Sequence, residues 1–225
     1  MNVPVVTIDG PGGAGKGTLA RLIAKELGFN LLDSGAIYRI LGLAALRGAV
    51  DLDDPGPLST MATSLSLSFP FTEKHTDIVL NGESVAGQLR NQDVADAASR
   101  IAIHPLVRDA LMFLQRQQAC VPGLVGDGRD LGTIVFPDAK LKIFLDASVG
   151  IRADRRYHEL IESGQTVARS AILRDLEIRD VRDRTRSVAP LVAAEDAFVI
   201  DSSDKSPSDV LSVVRELCQA HGLTN

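Results

Sequence analysis

Residues 10–18 read Gly-Pro-Gly-Gly-Ala-Gly-Lys-Gly-Thr, a spacing of bare backbone, one cation and one hydroxyl that could hold a polyphosphate. The run stands between an apolar stretch, Val3–Ile8, and a helix-like one, Leu19–Leu27. A strand that turns through glycines into a helix leaves several N–H groups unpaired and aimed at one point, where the helix dipole also favours negative charge. Gly10, Gly12, Gly13 and Gly15 lack the Cβ that would bar close approach, and Pro11, Ala14 and Gly17 complete the cradle. Lys16 can reach the outer phosphates, and the Thr18 hydroxyl can hold Mg²⁺. The same kind of turn also joins strand to helix in α/β proteins that bind no nucleotide.

The other cations point the same way. Of 18 arginines, nine lie between positions 152 and 186, with no lysine among them: Arg152, Arg155, Arg156, Arg169, Arg174, Arg179, Arg182, Arg184 and Arg186. A guanidinium offers a planar fork that matches two phosphate oxygens at once, so an all-arginine segment suggests oxyanion binding. Interspersed acids allow a second reading, a solvated helix laced with ion pairs, which suits Arg169 and Arg174 best. Two further clusters are Asp33-Ser34-Gly35-Ala36-Ile37-Tyr38-Arg39 and Asp127-Gly128-Arg129-Asp130. Each follows an apolar run, where α/β proteins place ligands. Asp33 or Ser34 could equally cap a helix, Arg39 could pair with an acid, and Arg129 could form a structural ion pair.

These residues need a scaffold, and the pattern supplies one. Apolar runs recur at Val3–Ile8, Phe29–Leu32, Gly123–Gly126, Leu141–Leu145 and Ala197–Ile200, with helical spacing between most of them. That predicts an α/β fold with five parallel strands covered on both faces by helices. The pattern breaks at Leu65–Phe69, which alternates, and at Asp77–Val85, where Asn81-Gly82 is a hairpin signal. A small antiparallel insertion over 63–93 is therefore expected within a core of 1–62 and 94–225. Helices resume from Asp93 to Gln118 with an interruption at His104-Pro105.

Composition excludes several classes. With 225 residues, 45% hydrophobic, 24% charged and a net charge of −5, the chain has no general attraction for nucleic acid or anionic membrane. Cys120, Cys218 and four scattered histidines have no metal-ligand spacing. The start of the chain carries no basic and apolar leader, so a cytoplasmic location is expected.

In order along nearly the whole chain, the motifs Gly10–Thr18, Asp33–Arg39, Asp127–Ala139, Lys142–Ser148 and Arg182-Asp183-Arg184 resemble those of bacterial cytidylate kinases. The delay of the hydroxyl to Thr18 resembles the nucleoside-monophosphate kinase version of the loop. The resemblance implies a P-loop NTPase core, an acceptor-binding insertion and a short helical lid at about 150–186. It implies transfer of a phosphoryl group from ATP, with Mg²⁺, to CMP or dCMP, by a monomer. On the positions of this sequence it puts the acceptor on Ser34, Arg39, Ser99, Arg108, Arg129, Asp130, Arg179, Asp183 and Arg186. Ser99, Arg108 and Asp130 would meet the cytosine edge, Arg179 and Asp183 the sugar, and Arg39, Arg129 and Arg186 the phosphate. Lys16, Arg129, Arg155, Arg184 and Arg186 would serve the transfer itself. Two positions depart from the family's habit: Gly12 stands where relatives often carry Ser, and Val181 replaces a frequent acid. Gly150 and Gly164 are candidate hinges for the lid.

Competing readings are a kinase for AMP, UMP, shikimate or gluconate on the same core, a GTP-hydrolysing switch, and a nucleic-acid module. The switch would need an Asn-Lys-x-Asp segment, which the sequence lacks. Net acidity and only nine aromatic residues argue against the third.

Overall fold

Strands whose side chains are apolar on both faces must be covered on both faces, and the computed structural model sets five strands side by side in one parallel sheet, the three central ones buried along nearly their whole length and the two at its edges partly exposed. It describes residues 3–65, 67–68 and 79–223. In chain order these form β1 (Val5–Asp9), α1 (Lys16–Leu27), β2 (Asn30–Asp33), α2 (Ser34–Arg47), α3 (Pro55–Ser64), β3 (Leu67–Ser68), β4 (Val79–Leu80) and β5 (Glu83–Ser84). A 3-10 turn (Gln88–Arg90), α4 (Gln92–Ile101), α5 (Pro105–Gln117), β6 (Leu124–Gly128), a π-helical turn (Leu131–Val135) and β7 (Leu141–Asp146) follow. The chain closes with α6 (Val149–Glu162), α7 (Arg169–Thr185), β8 (Phe198–Asp201) and α8 (Pro207–Ala220).

All five expected strands are present, in the order β2-β6-β1-β7-β8. Strand β1 is central: Val5 pairs with Leu124 and Asp9 with Gly128 on one side, and Val6 pairs with Leu141 on the other. Asp33 lies opposite Asp127, and Asp146 opposite Asp201. The carboxyl ends of the strands therefore gather acids and glycines at one edge, the edge at which such sheets bind ligands.

The chain divides into two compact units. The first comprises Met1–Asp33 and Arg116–Asn225. Its core joins Val6, Ile8, Val125, Ile143 and Leu145 of the sheet to Leu19 and Ile23 of α1 and Val214 of α8. Helices α6 and α7 pack on each other. Gly150 lies inside the first turn of α6 rather than ahead of it, while Gly164 follows that helix with φ +82°.

The second unit is Ser34–Gln115. Helix α2 packs on α3 and α4, and Ile40, Leu43, Leu80, Val85, Leu89 and Val94 form its core. Strands β3, β4 and β5 make a three-stranded antiparallel sheet. Asn81 and Gly82 turn the hairpin at φ +50° and +86°, the two positive angles that a primed turn requires. The expected insertion 63–93 lies inside this unit, and its residues 66 and 69–78 are outside the described ones. Among the described residues no helix is long and apolar enough to cross a membrane.

Candidate functional site

The glycine loop is shaped from two sides. At Gly10 (φ +147°) a Cβ would sit 2.0 Å from the Leu145 carbonyl oxygen, so this glycine is demanded by the neighbouring strand rather than by a ligand. At Gly15 the reverse holds. Its φ of +96° starts α1, and a Cβ there would meet open space, leaving room for an anion beside the first N–H groups of the helix.

Lys16 is 5% exposed, donates to the Pro11 carbonyl oxygen at 3.0 Å and lies 3.5 Å from the Asp127 carboxylate. Burial pushes its pKa down to about 8, Arg129 and Arg179 push the same way, and Asp127 and Asp9 oppose them. Burial likewise raises the Asp127 carboxyl, against the pull of Lys16. Each charge of the pair is thus short of solvent, which an incoming polyphosphate and its counter-ion would relieve.

Two guanidinium groups stand over the loop. A Cβ on Gly12 would stand 3.6 Å from Arg129 Nη2, 3.7 Å from the Leu176 side chain and 4.0 Å from Arg179 Nη1. Arg129 donates from Nε to Asp183 at 3.1 Å and from Nη1 to the Gly128 carbonyl oxygen at 3.1 Å. Burial works against its charge, but Asp183 and Asp127 outweigh it and hold the guanidinium firmly protonated. Arg186, its side chain 5% exposed, donates from Nε to the Ala189 carbonyl oxygen at 2.6 Å and lies 3.6 Å from Asp130. In the first unit the fold therefore brings together Lys16, Arg129, Arg179 and Asp183, with Arg186 on Asp130.

Arg155 and Arg184 are engaged elsewhere. Arg155 donates to Ser202 Oγ and its carbonyl oxygen and to the Ala14 carbonyl oxygen behind the loop. Arg184 is half exposed and reaches Asp146 at 3.4 Å. Arg169 pairs with Asp154 on the surface, as the solvated-helix reading expects.

In the second unit, Ser34 donates to Gln115 Oε1 at 2.7 Å, and buried Arg108 lies 5.7 Å from the Tyr38 ring centroid and donates to the Ala102 carbonyl oxygen. Arg39 Nε and Ser99 Oγ are buried with no hydrogen-bond partner among the described residues. Buried polar atoms are seldom left so, and each calls for an explanation, an ordered water or a ligand among them; Thr7 Oγ1, Arg179 Nε and Arg186 Nη2 of the first unit share the condition.

Two supports were not anticipated from sequence. Asp9 accepts from the Leu131 and Gly132 amides at 2.9 and 2.7 Å; burial raises its pKa to about 6 against those two bonds. Its signal was a lone acid ending an apolar run. Arg152, 3% exposed, donates to the carbonyl oxygens of Gly12 and Ala147 and forks onto Asp180, tying the loop to α6 and α7. Nothing in its spacing separates it from the other eight arginines of that segment.

A loop of backbone donors at the carboxyl edge of a parallel sheet, with lysine and arginines gathered on it, defines a P-loop phosphotransferase. The cytidylate kinase family model matches residues 6–220. The chain is 52% identical to the cytidylate kinase of Klebsiella pneumoniae (strain 342) over 210 residues, covering 93% of this chain and 92% of that one. It is 49% identical to that of Pasteurella multocida (strain Pm70), covering 98% and 97%, and 52% identical to that of Aeromonas salmonicida (strain A449), covering 94% and 92%. The chain belongs to the cytidylate kinase family.

Proposed function

We propose that the protein transfers the γ-phosphoryl group of ATP to CMP or dCMP, giving ADP and CDP or dCDP, as a cytoplasmic monomer. The observation that carries this reading is the gathering of Lys16, Arg129 and Arg179 at the glycine loop of a chain from this family. In an acidic protein that much buried positive charge calls for an anionic ligand.

A phosphoryl group in transfer spreads its charge over its outer oxygens, so alignment and charge stabilisation do most of the work. The loop amides and Lys16 take the donor's phosphates. Arg39, Arg129 and Arg186 grip the acceptor phosphate, which is already anionic and needs no base to activate it. Ser99, Arg108 and Asp130 read the cytosine edge, Ser34 supports the acceptor, and Arg179 and Asp183 hold the sugar. The unpartnered Arg39 Nε and Ser99 Oγ support these assignments. Residues 63–93 serve the acceptor, and the segment at about 150–186, with Arg155 and Arg184, closes over the transferring group.

The donor atoms by the loop are oxygens: the exposed Thr18 hydroxyl on the first turn of α1, and the Asp127 carboxylate, 3.1 Å from where a Gly17 Cβ would stand. Such a set suits a hard cation that keeps water and phosphate ligands, so Thr18, with Asp127 behind it, would hold Mg²⁺ arriving with ATP. Held there, the ion would supply positive charge that offsets the charge developing on the transferring phosphoryl group.

A coupled assay of ADP release with a panel of acceptors tests the reading. CMP and dCMP should run well ahead of UMP, with AMP and GMP inert. Turnover of AMP, shikimate or gluconate matching that of CMP would contradict it.

A further inference from the structure

Asp9 ends the central strand, immediately before the glycine loop, and its carboxylate is held by the turn after β6. Each carboxylate oxygen takes one amide: Oδ1 that of Leu131 at 2.9 Å, Oδ2 that of Gly132 at 2.7 Å. These are the leading N–H groups of the π-helical turn, whose own bonds, from Val135 to Asp130 and from Phe136 to Leu131, use later donors. The seat is built from missing side chains. A Cβ on Gly128 would stand 3.1 Å from Oδ1, and one on Gly132 would stand 3.3 Å from Oδ2 and 2.9 Å from Thr7 Oγ1. Only an acceptor on both oxygens satisfies two converging N–H groups, so an amide in its place would turn a donor against a donor.

The residues just ahead of the held backbone are Arg129 and Asp130, whose side chains meet Asp183 at 3.1 Å and Arg186 at 3.6 Å. We propose that Asp9 is a positioning residue for the acceptor: by clamping the 131–132 backbone it fixes the aim of Arg129 and Asp130 from a point joined directly to the donor's phosphate loop. The carboxylate thereby sets the spacing between the two nucleotides' binding groups. This inference rests on the proposed function, since it needs an acceptor that Arg129 and Asp130 bind.

Asp9→Asn keeps the volume and removes one of the two acceptors. Loss of a charge-assisted bond in a buried site should raise KM for CMP by about tenfold or more while KM for ATP moves less than about twofold. Gly132→Ala, which would push the turn off the carboxylate, should reproduce that split. Equal rises in both KM values, unchanged kinetics, or failure of both variants to fold would assign Asp9 to the fold alone and overturn the inference. A wild-type protein inactive on CMP would overturn the proposed function itself, whereas active wild type with an unaltered Asp9→Asn variant overturns only this step.

Discussion

The glycine-loop end of the first unit and the proposed acceptor residues of the second differ in how their polar groups are partnered. Around the loop, Lys16 faces Asp127, Arg129 holds Asp183, and Arg152 holds Asp180 and the Gly12 carbonyl oxygen, while one buried nitrogen each of Arg179 (Nε) and Arg186 (Nη2) makes no hydrogen bond among the described residues. In the second unit, Arg39 Nε and Ser99 Oγ are buried without a hydrogen bond among the described residues. The first arrangement fixes cations in place before any anion arrives. In the second, on the proposed reading, a bound nucleotide would supply the partners that Arg39 Nε and Ser99 Oγ lack. On that reading only Ser99 of these two meets the base, and a buried hydroxyl that the wrong base leaves unsatisfied discriminates against it; Arg39, like the loop's cations, serves phosphate.

Substitutions should separate the two regions. The largest effect is expected for Lys16→Ala, which removes the loop's own cation and should lower kcat by on the order of 10³-fold or more in a coupled ADP-release assay. A loss smaller than tenfold would break the claim that this end stabilises the transferring group. Next is Arg129→Ala, which leaves Asp183 buried beside no counter-charge at that contact. Its folding free energy, read from urea melts, should fall by about 3–5 kcal/mol in addition to the kinetic loss.

Ser99→Ala sharpens the contrast because affinity and stability should move in opposite directions. Deleting a buried hydroxyl that has no partner should leave the free protein as stable as before, or up to about 1 kcal/mol more so, while KM for CMP rises about tenfold. A clear loss of stability would mean the hydroxyl is already satisfied in the free protein.

The smallest effect is a pH dependence. Burial holds Lys16 near 8 in the folded chain against 10.5 in the reference state. Below about 8 it is charged folded or unfolded, so the cost of burying the charge is fully present there. Between about 8 and 10.5 the unfolded chain binds more protons, and that cost is relieved as pH rises. Phosphate binding favours the charged form, so ATP affinity should fall by up to about tenfold per pH unit above pH 8, with proton uptake on binding measurable by calorimetry. Lys16→Met should abolish the uptake.

Legibility in the sequence follows the same division. The glycine loop, the five strands and the Asn81-Gly82 hairpin could be read because backbone geometry dictates residue type at each step. Helix α3 went unforeseen: Pro55, Gly56 and Pro57 look like a loop, although Asp54 caps the helix by accepting from Gly56 N and Pro55 occupies its first turn. Ser34 and Arg39 stood out by their place just after the second strand, whereas Ser99 and Arg108, proposed to bind the acceptor with them, were named through family resemblance alone, since no spacing rule links them to the glycine loop. That Arg152 is buried and forked onto Asp180 while Arg169 is on the surface depends on which face of α6 and α7 is covered, a tertiary property. Asp9 was hidden in an apolar run for a related reason: its meaning lies in two amides more than a hundred positions away.

A crystal structure with CMP and a non-hydrolysable ATP analogue bound together tests the account most directly. The analogue's phosphates should lie on the loop amides and Lys16, with Arg39 Nε and Ser99 Oγ each bonded to CMP. A triphosphate seated away from residues 10–18, or a CMP that leaves both of those atoms without a partner, would contradict it.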